Sequence, residues 1–192
     1  MSHFFAYLSR MKLIQRWGLM RNIHTENIQE HSLQVAFVAH GLAMINNQVF
    51  AGSVNPERIA TLAMFHDTSE IITGDLATPI KYFNPEIKQS FKEIELVANK
   101  KLHSMIPQPL QAAYRPYFFN EPADEAHWQF VKAADKICAF LKCVEEIKMG
   151  NSEFIEAKNS IEAEIRQFEM PEVAYFMETY VDSFHLTLDE LQ

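Results

Sequence analysis

An apolar run at residues 59–65 ends directly in a histidine and an aspartate, His66 and Asp67. A run of this length that follows Pro56 predicts a buried helix. Imidazole and carboxylate groups are unfavourable to bury unless they bind a metal ion or each other. Because Glu70 follows three residues after the aspartate, the sequence predicts a metal or acid/base site where this helix ends.

The rest of the chain has helical rather than strand periodicity. Five glycines and eight prolines among 192 residues are few for a turn-rich β fold, and no segment alternates between polar and apolar residues. We therefore expect an all-α fold, a single-domain helical bundle of six or seven helices over residues 1–192. The predicted helices cover residues 2–13, 30–46, 56–72, 85–105, 124–149, 152–168 and 171–182, with a short helix within 107–122 and loops at 16–25 and 73–84.

The predicted helix over residues 30–46 is amphipathic. Thr25 or Asn27 lies near its start and has a side chain suited to capping a helix. Its apolar side is predicted to comprise Leu33, Ala36, Phe37, Leu42 and Met44.

Charge and composition limit the partners and the location of the chain. The formal charge of −8 argues against a nucleic-acid polymer, which needs a basic surface, although a bound cation would still allow a small phosphorylated ligand. Cys138 and Cys143 are too poorly aligned on one helix to pair, as expected in a reducing cytosol. Residues 1–12 have no secretory-signal pattern and no segment is apolar enough to span a membrane. We expect a soluble, cytoplasmic protein without membrane partners.

Four residues on predicted helices could form one metal site. They are His31, His66, Asp67 and Asp135, and a helical bundle can bring such positions together in its core. Two imidazoles and two carboxylates suit Mn, Fe, Co, Ni or Zn better than Ca or Mg. Four protein ligands would leave coordination positions open for water and substrate oxygens.

Each of these residues has a simpler explanation when it is taken alone. His31 could be a buried, hydrogen-bonded histidine, and the His66–Asp67 pair could be a helix end with a solvated aspartate. Asp135 has apolar neighbours on its helix and could pair with Lys132 or Lys142. The joint pattern is more specific than any of its parts.

The order of these residues resembles that of the HD-domain metallophosphohydrolase superfamily. The similarity is closer to the bacterial 5′-deoxynucleotidase family and extends over nearly the whole chain. The one difference is at Ala77, where the family pattern has a proline. The matching segments are Arg16–Trp17 and residues 25–32, 65–70, 73–79, 132–135 and 183–188.

The resemblance implies an HD-domain type of helical fold and a specific reaction. The family hydrolyses deoxyribonucleoside 5′-monophosphates to deoxyribonucleoside and phosphate and selects against ribonucleotides. It implies one divalent transition metal, Co²⁺ first, with Mn²⁺, Zn²⁺, Cu²⁺, Ni²⁺ or Fe²⁺ as alternatives. The substrate-binding residues it implies are Arg16, Trp17, His31, Asp67, Asp75, Leu76, Ala77, Thr78 and Asp135.

Two residues, Glu70 and Arg16, have side chains suited to catalytic roles. Glu70 lies four residues after His66 and three after Asp67, so it shares their helix face. It could take a proton from water or give one to the leaving 5′-oxygen, and both roles remain open. The planar guanidinium of Arg16 would clamp the phosphate.

The other implied contacts concern the sugar and a second copy of the chain. Trp17 would form a wall against the sugar that leaves little room for a 2′-hydroxyl, and Asp75 and Thr78 would bond its 3′-hydroxyl. The family also implies a homodimer. The aromatic residues considered for its interface are Phe118, Phe119, Tyr175 and Phe176.

Two other functions compete with this one. Another HD-type phosphohydrolase would act on triphosphates or cyclic phosphodiesters, but a triphosphate needs more cationic residues than Arg16 and Arg21. The non-enzymatic alternative is a helical scaffold with a structural metal. Such a scaffold would not require an acid that does not bind the metal, such as Glu70.

Overall fold

The computed structural model describes residues 1–81 and 83–192, except for the side chain of Thr78. Over that part of the chain it contains ten α-helices, short 3₁₀ segments and no β-strand, which confirms the predicted all-α fold. The helices are α1 (Phe4–Leu8), α2 (Ile28–Val49), α3 (Pro56–Phe65), α4 (Glu70–Thr73), α5 (Thr78–Lys81), α6 (Pro85–Ser104), α7 (Gln108–Tyr114), α8 (Glu125–Lys148), α9 (Ile155–Ile165) and α10 (Pro171–Tyr180).

The described residues form two compact units. The first unit comprises residues 1–21, 25–32 and 64–125, and the second comprises 22–24, 33–63 and 126–192. The single domain expected over residues 1–192 stays a prediction. None of the described helices is both long enough and apolar enough to cross a membrane.

An aromatic core in the first unit supports the residue that precedes the His66–Asp67 pair. Phe4, Leu102, Ile106 and Phe118 are buried together in this core, and Phe65 packs against it. The Phe65 ring stacks on Tyr117 with 5.0 Å between ring centroids. Since Phe65 is the last residue of α3, this packing fixes the point from which the next residues project.

The predicted helix over residues 56–72 is interrupted after Phe65. Both the backbone N–H and the hydroxyl of Thr68 donate to the carbonyl oxygen of Phe65, at 3.2 and 2.8 Å. These bonds close a tight turn over residues 66–69, and α4 then begins at Glu70. His66 and Asp67 therefore lie in a turn rather than on a helix, which corrects the prediction.

Helix α2 buries a different face from the one predicted. Ala36 and Leu42 are buried as expected, but Leu33, Phe37 and Met44 are 48%, 70% and 40% exposed. The helix has apolar residues on more than one side, so its sequence alone does not select the face. The buried face is completed by Val35, Val38, Ala39, Ala43 and Ile45.

A buried ion pair in the second unit anchors residues 22–24. Glu146 is fully buried and accepts hydrogen bonds from the backbone N–H groups of Ile23 and His24, at 2.9 and 3.0 Å. Lys142 pairs with Glu146 and also donates to the carbonyl oxygen of His24. Lys142 thus has an established partner other than Asp135. Cys138 and Cys143 are both buried and form no disulfide bond.

Candidate metal centre and active site

The first histidine of the predicted site lies in the first turn of α2. The side chain of Asn27 accepts hydrogen bonds from the N–H groups of Gln29 and Glu30, at 3.0 and 3.1 Å, so Asn27 is the helix cap. The backbone N–H of His31 donates to the carbonyl oxygen of Asn27 at 3.0 Å. This bond holds the backbone of His31 beside the helix cap. The His31 side chain is fully buried.

His31, His66 and Asp67 converge in the first unit. One ligand atom from each lies within 4.8 Å of the other two. Asp67 Oδ2 is 3.7 Å from Nε2 of His31 and 3.1 Å from Nε2 of His66. The structure thus brings together three of the four predicted metal ligands.

This donor set fits a divalent transition-metal ion. Two imidazole nitrogens and a carboxylate oxygen are preferred ligands of such ions. The side chains of His31, His66 and Asp67 are 0%, 10% and 21% exposed, so a bound ion would be held in a largely buried position. A bound cation would also compensate the burial of the carboxylate.

Glu70 is a buried carboxyl group beside this cluster. It is 7% exposed, and its Oε2 atom has no hydrogen-bond partner among the described residues. Burial and the negative charges of Asp67 and Asp75 raise the pKa of Glu70 to about 10, against the opposing charges of Arg16 and Lys81. Glu70 is therefore protonated at neutral pH in the metal-free protein.

Gly74 ends the short helix that carries Glu70. Its φ angle is 73°, in the left-handed region that glycine adopts without strain. The N–H of Gly74 donates to the carbonyl oxygen of Glu70 at 2.8 Å. The chain then turns into residues 75–78, the predicted sugar-binding loop.

Arg16 and Trp17 are brought to the site by an isolated antiparallel bridge between Gln15 and Asn27. Arg16 Nη1 lies 2.5 Å from Nδ1 of His31, and its side chain is 14% exposed. Trp17 has a φ angle of 59°, which is unusual for a bulky residue. Such strained conformations cluster at functional sites.

Asp75 connects the loop after α4 to Trp17. Its carboxylate accepts a hydrogen bond from the Trp17 backbone, and burial raises the pKa of Asp75 despite that bond and the charge of Arg16. Leu76 and Ala77 are half-buried. Thr78 begins α5, and its side chain lies outside the described part of the structure.

Asp135 is half-buried in α8. Its helical neighbours Val131, Cys138 and Ala139 are all buried. Its place as the fourth metal ligand stays a prediction.

Glu26 is a residue of this site that sequence reasoning missed. It is 8% exposed and accepts hydrogen bonds from Arg16 Nη1 and Trp17 Nε1, at 3.0 and 3.1 Å. Burial acts to raise its pKa, but the nearby side chain of His31 and the charge of Arg16 together lower it. Glu26 directly precedes the capping Asn27, and a single glutamate there gives no periodic signal of burial.

The chain is similar to known 5′-deoxynucleotidases over almost its whole length. Residues 3–184 match the YfbR-like family, described as 5′-deoxynucleotidase YfbR-like. A 5′-deoxynucleotidase from Vibrio cholerae is 57% identical over 99% of this chain and 98% of its own length. The 5′-deoxynucleotidase YfbR of Escherichia coli is 55% identical over 99% of this chain and 96% of its own.

Solved structures share the fold. An HD-domain phosphohydrolase from Listeria innocua superposes with a TM-score of 0.82 at 27% identity, over 95% of this chain and 88% of that one. An HD phosphohydrolase of cyanophage S-2L, solved with dA and one catalytic Zn²⁺ ion, gives 0.64 at 18% identity, over 93% and 96%. This second likeness concerns the fold alone. The chain, with its converging histidines and aspartate on an HD-type helical fold, belongs to the YfbR-like 5′-deoxynucleotidase family.

Proposed function

We propose that this 5′-deoxynucleotidase binds one divalent metal ion through His31, His66 and Asp67, with Asp135 as the fourth ligand. It hydrolyses deoxyribonucleoside 5′-monophosphates to deoxyribonucleoside and phosphate at that ion and selects against ribonucleotides. The observation that carries the proposal is the convergence of three ligand atoms within 4.8 Å beside the buried carboxyl group of Glu70. Co²⁺ is the proposed ion, by family resemblance. A divalent ion supplies Lewis acidity that stabilises charge on the phosphoryl oxygens and activates water.

Arg16 is proposed as the phosphate clamp. Its guanidinium is held beside the metal-ligand cluster by Glu26 and by its contact with His31. A planar guanidinium can offer two parallel N–H donors to a phosphate. Arg16 would therefore orient the phosphoryl group and balance the charge that develops on it.

Glu70 is proposed as the general acid that protonates the leaving 5′-oxygen. The alternative, a general base, would need an ionised carboxylate. In the metal-free protein the pKa of Glu70 is raised to about 10, which is the direction that a general acid requires. Burial of Glu70 is the largest cause of that shift, and this burial is present without substrate.

Trp17 and Asp75 are proposed to recognise the sugar. The hydrogen bond between the Trp17 backbone and Asp75 holds the indole wall and the carboxylate together. Trp17 would exclude a 2′-hydroxyl, and Asp75 would accept a hydrogen bond from the 3′-hydroxyl. The other proposed substrate contacts come from Leu76, Ala77 and Thr78, and from the metal ligands His31, Asp67 and Asp135.

We also propose a homodimer in the cytoplasm. Phe118 and Phe176, considered earlier for an interface, are only 6% and 9% exposed, so their apolar area is already used within the chain. The exposed Leu33, Phe37 and Met44 of α2 offer a better interface. The two cysteines form no disulfide bond, which is consistent with a reducing compartment.

The test is phosphate release from matched deoxyribo- and ribonucleoside 5′-monophosphates, measured with Co²⁺, Mn²⁺, Zn²⁺, Cu²⁺, Ni²⁺ and Fe²⁺. We expect release from the deoxy forms and much less from the ribo forms with the same base. Equal rates on both sugars would contradict the role of Trp17. No release with any metal would favour a scaffold instead.

The ligand set is tested by metal binding. Asp135→Ala should bind no Co²⁺, while Asp182→Ala, an exposed aspartate, should bind it as the unmodified protein does. One full equivalent retained by Asp135→Ala would remove Asp135 from the ligand set.

A further inference from the structure

Glu26 takes no chemical step in the proposed reaction, but it lies beside three residues that have proposed roles in it. Its backbone carbonyl accepts a hydrogen bond from the N–H of Arg16 at 2.9 Å, so its position is fixed by the bridge. Its side chain is largely buried. A buried carboxylate is stabilised by donors that surround it, and the identity of those donors indicates its role.

The two oxygens of Glu26 face different partners. Oε2 accepts hydrogen bonds from Arg16 Nη1 and Trp17 Nε1, at 3.0 and 3.1 Å. Oε1 lies 3.7 Å from Nδ1 of His31. A single carboxylate thus links the proposed phosphate clamp, the proposed sugar wall and a proposed metal ligand.

The ring of His31 needs an acceptor on its Nδ1 side. Nε2 of His31 is the atom that faces Asp67, so it is the nitrogen available to a metal ion. A histidine that ligates through one nitrogen keeps its proton on the other and donates it, often to a carboxylate. Arg16 lies closest to Nδ1, but a guanidinium has only donors. Glu26 is the carboxylate on that side of the ring.

We propose that Glu26 is a positioning residue that orients His31 for metal ligation through Nε2 and holds Arg16 and Trp17 in fixed places beside the ion. It touches neither the metal nor the substrate, and it acts through the three side chains that it contacts. The inference rests on the proposed metal site at His31.

Glu26→Gln separates the two parts of this role. Two donors, Arg16 and Trp17, face one end of the side chain, so the amide oxygen must lie there. The amide NH₂ group then faces His31, where it cannot accept a hydrogen bond from the ring N–H. We expect Co²⁺ affinity to fall by about 10- to 100-fold, while Trp17 keeps its hydrogen bond.

Glu26→Ala removes both parts. We expect Co²⁺ affinity to fall at least as far as in Glu26→Gln. We also expect the preference for deoxyribo- over ribonucleotides to decrease, because Trp17 is no longer held. The chain has two tryptophans, so the indole N–H signal of Trp17 can be followed by NMR. That signal should shift in Glu26→Ala and stay nearly in place in Glu26→Gln.

The experiment is a calorimetric titration of the metal-free full-length proteins with Co²⁺, together with indole NMR spectra and melting temperatures. Glu172→Gln is the matched control, because Glu172 is a glutamate that is 2% exposed and belongs to the second unit. We expect Glu172→Gln to keep the Co²⁺ affinity of the unmodified protein, whatever its melting temperature.

Two results would overturn the inference while the proposed function stands. One is Co²⁺ binding by Glu26→Gln that is as tight as that of the unmodified protein. The other is an equal loss of affinity in Glu26→Gln and Glu172→Gln, which would indicate a general effect of losing a buried carboxylate. Failure of the unmodified protein to bind Co²⁺ would overturn the proposed metal site, and the inference with it.

Discussion

At the scale of single residues, the protonation of Glu70 determines what the site can do. Burial of its carboxyl group, together with the negative charges of Asp67 and Asp75, raises its pKa to about 10. A group that holds its proton at neutral pH is equipped to protonate a leaving alkoxide. In the metal-free protein the raised pKa of Glu70 is thus in the direction that a general acid requires.

The acid role predicts a specific response to the leaving group. We expect Glu70→Gln to lose about 10²- to 10⁴-fold in kcat on a deoxyribonucleoside 5′-monophosphate, the usual contribution of general acid catalysis. The loss should be much smaller on p-nitrophenyl phosphate, whose leaving group needs no proton. Steady-state kinetics on both substrates measure this difference. Equal losses would indicate that Glu70 activates the attacking water instead.

The same pKa predicts how the stability of the metal-free protein depends on pH. An unfolded Glu70 ionises near its ordinary pKa of 4.5, whereas the folded carboxyl keeps its proton up to about pH 10. Between these values the folded state binds the extra proton, so the free energy of unfolding falls as pH rises. Glu70→Gln removes this dependence.

At pH 8 we expect a difference of about 1 to 2 kcal/mol in the free energy of unfolding, so metal-free Glu70→Gln should melt roughly 2 to 8 °C above the unmodified protein. The difference should shrink towards pH 5. Melting curves at a series of pH values measure it. A difference that is constant with pH, or that grows as pH falls, would contradict the raised pKa.

At the scale of elements, the turns around the short helix α4 position the site, and these were the least predictable parts. The sequence at residues 66–69 contains neither glycine nor proline, so nothing in it marks the end of α3. The turn depends on Thr68, whose hydroxyl and N–H both bond to Phe65. By contrast, the Asn27 cap and the bounds of α6 and α8 follow from local sequence signals, and the structure agrees with them.

Gly74 and Gly41 give a matched pair for testing this view. Gly74→Ala places a side chain at a φ angle of 73° and should destabilise the protein by about 1 kcal/mol or more. Gly41 lies within α2, and a Cβ added there meets nothing within 4 Å. Gly41→Ala should therefore stabilise the protein by roughly 0.5 to 1 kcal/mol.

Denaturant unfolding of both variants measures these effects. If Gly74 matters to the site as well as to stability, Gly74→Ala should also lower kcat, because it alters the helix that carries Glu70. Equal and opposite stability changes without any change in kcat would indicate that Gly74 contributes to stability but does not help to position Glu70.

At the scale of the whole molecule, the fold class and the convergence of His31, His66 and Asp67 were predictable, and the contacts among distant residues were not. His31, His66 and Asp67 were identified because imidazole and carboxylate groups on predicted helices suit a metal ion, and their order along the chain also resembles that of a known family. Glu26 was missed because its importance comes only from contacts with Arg16, Trp17 and His31. The exposed face of α2 was misjudged because apolar residues occur on more than one side of that helix.

The central claim is that one metal ion at this site hydrolyses deoxyribonucleoside 5′-monophosphates. The most direct measurement adds Co²⁺ stepwise to metal-free protein while phosphate release from deoxyadenosine and adenosine 5′-monophosphates is followed. We expect hydrolysis of the deoxy form to rise with added metal and to saturate at one equivalent per chain, with far slower hydrolysis of the ribo form. Saturation only at two equivalents, or no release at any metal content, would contradict it.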